Sequence, residues 1–496
     1  MGAPVFLSID LGATAGRVFA CRLREEGLEM EEVHRFPNLP VRVGKSILWD
    51  VLSLWREVKL GISLACRRFS DLRSVAVDSW GIDFALLDRA GGLLENPHHY
   101  RDPRTEGIME EVFRLVPKEE IYFRTGIQFM RINTLYHLYS LARDRRPLLE
   151  ATQNLLMIPD LFTHWLAGVT LCEFTDATTT QFYNPIKRGW DEELLQMLRI
   201  PTHFLTEIVE PGAVLGELTG DLAAELRSEK LKVVATASHD TASAVAAAPL
   251  SGEDCAYISS GTWSLVGAEV REPVINKESL EYNFTNEGGA FGKFRLLRDV
   301  QGMWLLEECR RVWKEEGKEY TYEELTRLAS EAEPFTAFID PDAPRFVSPL
   351  NMVEEIGGYL EETSQKKPVG IGGMTRLILE SLAFKYRYVL ERLQDLTGRR
   401  IHRIHVVGGG SRNRLLNQLT ADCTGLEVVA GPVEATAAGN ALVQAVGMGM
   451  LQTHESLREI IRNSFPLETF QPSASEKIED AYLRFLSVTG LEGDSK

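Results

Sequence analysis

The 496-residue chain predicts an α/β protein of two domains, on three observations. Its length exceeds what one hydrophobic core usually supports. A strand–glycine turn–strand pattern stands early in each half, at VFLSIDLGATAGRVFACRL (5–23) and AYISSGTWSLVGAE (256–269). Each half then carries a further strand signal, SVAVDSWGIDFALLD (74–88) in the first and IHRIHVVGGGSRNRLLNQLTADCTG (401–425) in the second. This coarse echo suggests a duplicated design, although no residue-level repeat is visible. The predicted division is 1–248 and 249–496, because AAAPLSGED places Pro249 and Gly252 where a helix ends and a turn begins.

In chain order, the first hairpin pairs an apolar strand with a second strand across the turn Gly12 to Gly16. A P-loop needs GxxxxGK[ST] followed by a helix, and here Arg17 leads into Val18 and Phe19, so a Walker-type site is excluded. Within VVATASHDTASAVAAAP (233–249), Asp240 is expected to open a small-residue helix running TASAVAAAP. The second hairpin turns at Ser260-Gly261-Thr262. EEIGGYLEETSQKKPVGIGG (354–373) reads as loop with a short helix. GMTRLILESLAFKYRYVLERLQDL (373–396) is a long amphipathic helix with Leu377, Leu382, Phe384 and Leu390 turned to a core. SEKIEDAYLRF (475–485) is a further surface helix, and the last few residues are expected to fray.

Composition narrows the classes. A charged fraction of 25% and an apolar fraction of 44% are ordinary for a globular protein, and no apolar run is long enough to span a bilayer. The chain enters PVFLSID without a basic leader, so the cytoplasm is the expected compartment. The net charge of -17 argues against a nucleic-acid partner, which would need clustered Lys and Arg. Six singly scattered cysteines suggest neither a zinc site nor a disulfide framework.

Several short stretches carry candidate chemistry. In IDLGATAGR, Asp10 ends a strand and the glycine turn offers N–H groups to an anion, although a tight hairpin alone would look the same. The matching SSGTWS turn strengthens the first reading. Two backbone cradles could grip a polyphosphate while Asp10 holds Mg²⁺ through oxygen ligands or bound water. Gly408, Gly409 and Gly410 stand between a strand and a helix and permit close approach of a ligand. The small residues from Ala435 to Ala441 suit tight helix packing, or space beside a purine. In DSWGIDF, Trp80 and Gly81 lie between Asp78 and Asp83, and an aromatic face beside carboxylates suits a sugar as well as it suits a buried turn. NPHHYRDPRT reads as a solvated loop in which Arg101 and Asp102 would suit a polar substrate rim. Asp240 sits among Ala and Val residues, where a carboxylate is expensive unless it is paired, caps a helix or borders a cleft.

IDLGATAGR, DSWGIDFALLD, TGIQFMRINTLYHL, MIPDLFTHWLAG, SHDTASAVAA, YISSGTWSLVG, NFTNEGG and VVGGGSRNRLLNQLTADCTGLEVVAGPVEAT follow one another across nearly the whole chain. In this order they resemble the FGGY family of carbohydrate kinases. The resemblance implies two actin-like, ribonuclease-H-like α/β domains with an ATP and sugar cleft between them. It implies ATP-dependent phosphorylation of the 1-hydroxyl of L-rhamnulose, with L-fuculose or another ketose as the neighbouring possibility and a non-catalytic actin-like ATP- and sugar-binding protein as the distant one. By the same resemblance Asp240 is the general base, and His239, Thr241 and Gly81 contact the sugar, beside the aromatic face of Trp80 and the polar rim at Arg101. Ala13, Thr14, Ala15, Gly16 and Arg17 hold the nucleotide phosphates, Thr262 reaches them from the second domain, and Gly409 lines the nucleotide site. Asp10 serves Mg²⁺. The implied partners are a small sugar and ATP, with no nucleic acid and no membrane, in a monomer or homodimer.

Three stretches depart from the pattern. Where the nearest branch of the family tends to read NIMGLWLLQ, this chain reads DVQGMWLLE, which puts the acidic Asp299 and Glu307 near the expected nucleotide and predicts weaker ATP binding or an altered metal requirement. Arg131 in FMRIN replaces an apolar residue or Pro, which bears on the choice of sugar. Thr14-Ala15 replaces Ser-Ser, a mild change if backbone N–H groups do the binding.

Overall fold

A computed structural model describes residues 2–228 and 231–491; the expected fraying of the last residues falls on 492–496, outside them. The chain forms two compact units. One comprises Met1–Pro249, Glu269–Leu296 and Glu434–Phe465, and the other Leu250–Ala268, Leu297–Val433 and Pro466–Lys496. The chain thus leaves the first unit at Pro249 and returns to it twice, a path that no local pattern announces.

The sheet of the first unit runs in the order Val214–Glu217, Lys232–Val234, Leu72–Ser79, Val5–Leu11, Ala15–Leu23, Leu28–Pro37. Val5–Leu11 is buried at every position and lies centrally, as an apolar run without alternation should. It pairs antiparallel with Ala15–Leu23 and parallel with Leu72–Ser79. Leu28–Pro37 forms one edge and is largely polar along its length. The helix Val51–Arg68 opens on Asp50, whose carboxylate accepts the Ser53 N–H, and buries Val51, Leu54, Val58, Gly61, Ile62 and Ala65 at helical spacing. A Cβ on Gly61 would press to 2.5 Å from Val18 Cγ2, so glycine sets how closely this helix lies on the sheet.

The helix Ala435–Gly447 packs against Asp240–Ala246 and across the strands Val5–Leu11 and Leu72–Ser79. A Cβ on Gly439 would overlap the Ser243 carbonyl oxygen, so the small residues of this stretch serve a close helix crossing. Two polar side chains break its apolar surface, and both are fully buried. Asn440 Nδ2 donates to Asp78 Oδ2 at 2.5 Å, and Gln444 Nε2 donates to the Leu7 carbonyl at 2.9 Å and to Asn440 Oδ1 at 2.7 Å. Ser74 Oγ closes the network on Gln444 Oε1 at 2.7 Å.

In the second unit, Cys255–Ser260 pairs antiparallel with Trp263–Val270 and parallel with Arg403–Val407; Glu427–Ala430 continues the parallel run and Glu468–Phe470 closes it antiparallel. The first unit has the same sequence of pairings: a hairpin, two parallel neighbours, then an antiparallel edge. The duplication read from two hairpins therefore extends to strand direction, although the antiparallel edge strand precedes its neighbour in the chain in the first unit and follows it in the second. The long helix spans Gly370–Thr397 and buries all four apolar residues named above. The stretch read as loop with a short helix holds an eleven-residue helix, Met352–Glu362, opened by Asn351. Glu476–Thr489 is a helix, and it is more than a surface one, since Tyr482 and Phe485 are buried. All six cysteines are free thiols. Among the described residues no helix is long and apolar enough to cross a membrane.

Candidate active site

Sheet register gathers the acidic residues of the first unit. Asp10 lies opposite Arg17 across the hairpin and opposite Asp78 on the parallel strand. Beyond Asp78, the Ser79 N–H donates to the Ser238 carbonyl at 2.8 Å, which brings the SHD turn to the carboxyl ends of the same strands. Ligand sites of parallel sheets form at such strand ends. Burial raises the Asp10 carboxyl to about 6; Arg17 pulls it down, while Asp240 and Glu434 push it up. Burial, together with Asp10 and Asp240, raises Asp78 well above the usual range against the pull of Asn440. Asp240 is raised as well, by burial first, with the hydrogen bonds from Thr241 opposing. Its side chain keeps 30% exposure where that of Asp10 keeps 3%. Of these two carboxylates, Asp240 is the one open to a substrate.

Asp240 is the first residue of its helix, and His239 is the cap residue, without a side-chain cap bond. The helix-capping reading of Asp240 is therefore corrected: its Oδ1 accepts from Thr241 Oγ1 at 3.2 Å. What holds the turn is Glu173, a fully buried residue in CEFTDATTT that sequence reasoning missed. Its Oε2 accepts from the N–H of Thr175 and Ser238, each at 3.0 Å, and from their hydroxyls at 2.5 and 2.6 Å. His239 N–H donates in turn to Thr175 Oγ1 at 3.1 Å. Nothing local flagged this acid; an acidic residue between buried Cys and Phe was the sole signal.

At the first hairpin, Arg17 donates to Asp10 Oδ2 at 2.5 Å and to Glu434, which stands at the start of Ala435–Gly447. Asn38 braces the turn by donating its side-chain N–H to the Gly12 carbonyl at 2.9 Å and its backbone N–H to the Thr14 carbonyl at 3.0 Å. Ala13, Thr14 and Ala15 thus sit in a fixed turn. Gly16 is needed for a different reason from backbone freedom: it lies in the strand, and a Cβ there would overlap the Phe36 ring.

The DSWGID turn is strained. Ile82, a β-branched residue, has φ of 77°, and Asp83 N–H donates back to the Gly81 carbonyl at 3.0 Å. Thr179 Oγ1 accepts the Ile82 N–H at 3.1 Å, and Thr134 Oγ1 donates to the Ile82 carbonyl at 2.6 Å, which hold this conformation in place. A Cβ on Gly81 would come within 2.9 Å of Thr179 Cγ2. Trp80 is 6% exposed, tilts against Trp49 at 4.2 Å and donates Nε1 to Asp83 at 2.9 Å. Asp83 also accepts from Trp49 Nε1 at 2.5 Å and from the Tyr100 N–H at 3.2 Å, so its Oδ2 is spent on the protein. The expected solvated loop is corrected too: His99, Tyr100, Arg101 and Asp102 are all buried. Asp102 accepts from the Ile47 and Arg104 N–H groups at 2.6 and 2.9 Å and caps a 3₁₀ turn. Arg131 pairs with Glu106 at 3.3 Å.

The remaining predicted residues belong to the second unit. Thr262 lies in the hairpin turn, where its carbonyl accepts from the Gly302 and Trp304 N–H groups. Of the three glycines, Gly408 and Gly410 pack against Ser260, and only Gly409 faces open space. Asp299 lies in the strand Phe294–Gln301. Glu307, on the helix Trp304–Glu315, pairs with Arg310 at 2.8 Å and accepts from the Tyr322 hydroxyl, so its charge is already countered.

Among the described residues no group of three or more His, Cys, Asp or Glu side chains is arranged to hold a metal ion. A hydrated cation asks for less, namely one or two carboxylates. Asp10 and the buried Asp78 Oδ1, which lacks a hydrogen-bond partner, meet that requirement.

Residues 5–247 match the N-terminal domain, and 256–448 the C-terminal domain, of the FGGY family of carbohydrate kinases. The chain belongs to that family. This FGGY kinase is 42% identical over 480 residues to a rhamnulokinase of Bacteroides thetaiotaomicron, covering 97% of this chain and 98% of that protein. It is 39% identical to a rhamnulokinase of Oceanobacillus iheyensis (94% and 97% covered) and 37% identical to that of Bacillus subtilis (94% and 95%). The fold is shared with the crystal structure of gluconate kinase from Lactobacillus acidophilus (TM-score 0.79, 16% identity, 99% and 97% covered) and with that of Plasmodium falciparum glycerol kinase with ADP (TM-score 0.78, 16% identity, 100% and 99% covered). Kinases of this family bind a sugar and ATP, typically with a divalent metal.

Proposed function

We propose that the chain is an ATP-dependent kinase that converts L-rhamnulose to L-rhamnulose 1-phosphate and ADP. The observation that carries the reading is the full-length similarity, at 42% identity, to a rhamnulokinase. The site agrees with it chemically. Asp240 is exposed enough to meet a hydroxyl, and its raised carboxyl pKa makes it a stronger base than an ordinary aspartate. It takes the proton of the sugar's 1-hydroxyl as that oxygen forms its bond to the γ-phosphorus and the bond to the β,γ-bridging oxygen breaks. Phosphoryl transfer is chiefly positioning and charge neutralisation, so one base and well-placed donors suffice.

In this reading Trp80, Gly81, Arg101, His239 and Thr241 surround the sugar, and the strained turn at Ile82 fixes one side of its pocket. The Ala13–Arg17 turn receives phosphate oxygens, with Arg17 exchanging its carboxylate partners for them. Thr262 and Gly409 serve the nucleotide from residues 249–496. Mg²⁺ held by Asp10 and Asp78 would neutralise phosphate charge. The six free thiols suit the cytoplasm, where ATP is supplied.

The test is ATP consumption with Mg²⁺ against L-rhamnulose, L-fuculose, D-xylulose, L-ribulose and glycerol, for wild type and Asp240→Asn. L-Rhamnulose should give the highest kcat/KM, and the variant should lose about 10²- to 10⁴-fold in kcat. Preference for another sugar overturns the substrate, and an active variant overturns the base. Absence of any sugar-dependent turnover would favour a binding protein.

A further inference from the structure

Behind His239 stands a buried ion pair, Arg295 with Glu287. Arg295 has no exposed surface, and its Nη2 donates to Glu287 Oε2 at 2.9 Å and to His239 Nδ1 at 3.0 Å, while its Nε donates to the Gly288 carbonyl at 2.8 Å. Glu287 belongs to the NFTNEGG stretch and is also buried; its Oε2 lies 3.3 Å from the same His239 Nδ1. On the opposite side of the ring, His239 Nε2 lies 3.6 Å from Asp240 Oδ1.

Two groups thus face one imidazole nitrogen, and they ask opposite things of it. A guanidinium has donors only and does not give up its proton, so a nitrogen bonded to it must present a lone pair. A carboxylate accepts only, so it would ask Nδ1 to carry the proton. The Arg295 contact is the shorter, and Glu287 Oε2 is already engaged by the same Nη2. Burial alone would push the Glu287 carboxyl up, but the charge of Arg295 beside it holds Glu287 below its ordinary value. Glu287 therefore stays anionic and anchors Arg295, leaving the second Nη2 hydrogen for the histidine.

We infer that Arg295, anchored by Glu287, holds His239 as the neutral tautomer protonated on Nε2, so that the ring offers a hydrogen-bond donor toward Asp240 and the sugar. The inference rests on the kinase reading above and adds two positioning residues to it. The tautomer matters because an imidazolium beside Asp240 would weaken it as a base, and a ring protonated on Nδ1 would turn a lone pair toward the carboxylate.

Two-bond ¹H–¹⁵N correlation spectra of the full chain labelled with ¹⁵N-histidine read the tautomer without turnover, with His239→Gln identifying the resonance. Wild type at neutral pH should show the neutral Nε2–H pattern. Arg295→Met should convert it to Nδ1–H, now accepted by Glu287, and lower kcat at least about tenfold while KM for ATP changes less than twofold. Arg295→Lys, which keeps a donor, should retain Nε2–H. A wild-type ring that is Nδ1–H or imidazolium overturns the inference even if Arg295→Met does not fold, and so does a folded Arg295→Met that keeps Nε2–H. A wild type that phosphorylates no sugar removes the kinase reading instead, whatever the tautomer.

Discussion

Replacing Asn440 with Leu, a residue of similar bulk, should loosen the first unit from within. In the native network Asn440 supplies the donor for Asp78 Oδ2 and the acceptor for Gln444 Nε2. The substitution leaves one Gln444 N–H unpaired, at about 1 kcal/mol, and strips a buried carboxyl group of its donor, at about 2 kcal/mol. Asp78 Oδ1 has no partner to share the load. The sum, about 3 kcal/mol, corresponds to roughly 150-fold faster exchange by local opening. Hydrogen exchange read by mass spectrometry on peptides covering 72–79 and 435–447 measures it without assuming that a two-unit chain unfolds in one step. In an Asp78→Ala background the same change should cost at least about 1 kcal/mol less, because no buried acceptor is left there without its donor. An exchange increase below about tenfold, or an equal cost in both backgrounds, would refute the account of the network.

Stability should fall as pH rises from about 4 through 7. Asp10 and Asp83 are raised to about 6 and about 7, and Asp78, Asp160, Glu173 and Asp176 are raised too, all mainly by burial. In that window the folded state binds protons on these carboxyls that the unfolded chain has released. His99, His137 and His454, whose pKa values burial lowers, act in the opposite direction but are fewer. The nucleotide-free protein should therefore melt lower at pH 8 than at pH 5.5, and a flat or rising Tm contradicts this. Gly439→Ala should destabilise by about 1–3 kcal/mol through overlap with Ser243, whereas Gly409→Ala, which meets nothing within 4 Å, should leave Tm unchanged and alter KM for ATP alone. Glu307→Gln should change KM for ATP by less than about twofold, because Arg310 already counters the charge; a tenfold gain in affinity would restore the expected repulsion.

Much of the candidate site could be proposed from sequence because its residues sit in short stretches with strong local grammar. A strand ending in Asp before a glycine turn, a second such turn, and a carboxylate among alanines each stand out within about ten residues. The duplication was legible for the same reason, since two hairpins carry the same alternation. What stayed hidden is chemistry assembled from far apart. Glu173, Glu287, Arg295, Glu434 and Asn440 bear on the site from segments that no period or spacing links to Asp10 or Asp240. Asp83 and Trp80 show a subtler limit. Their spacing suits a sugar pocket, yet three N–H groups, one of them from Trp80 itself, bind the carboxylate in the fold. Composition cannot reveal which lone pairs are already spent.

The return of Ala435–Gly447 to the first unit also bears on how the chain is made. The groove that this helix fills, with the Leu7 carbonyl, Ser74 and Asp78 at its floor, is synthesised near the beginning, and its occupant near the end. At ribosomal speeds of about 5–20 residues per second, roughly 10–40 s separate residue 249 from residue 447. Throughout that interval the groove of the nascent amino-terminal half stands open, with its polar groups still without their partners. Chaperone dependence during synthesis, and failure of a fragment ending at Pro249 to accumulate, follow from that order of appearance.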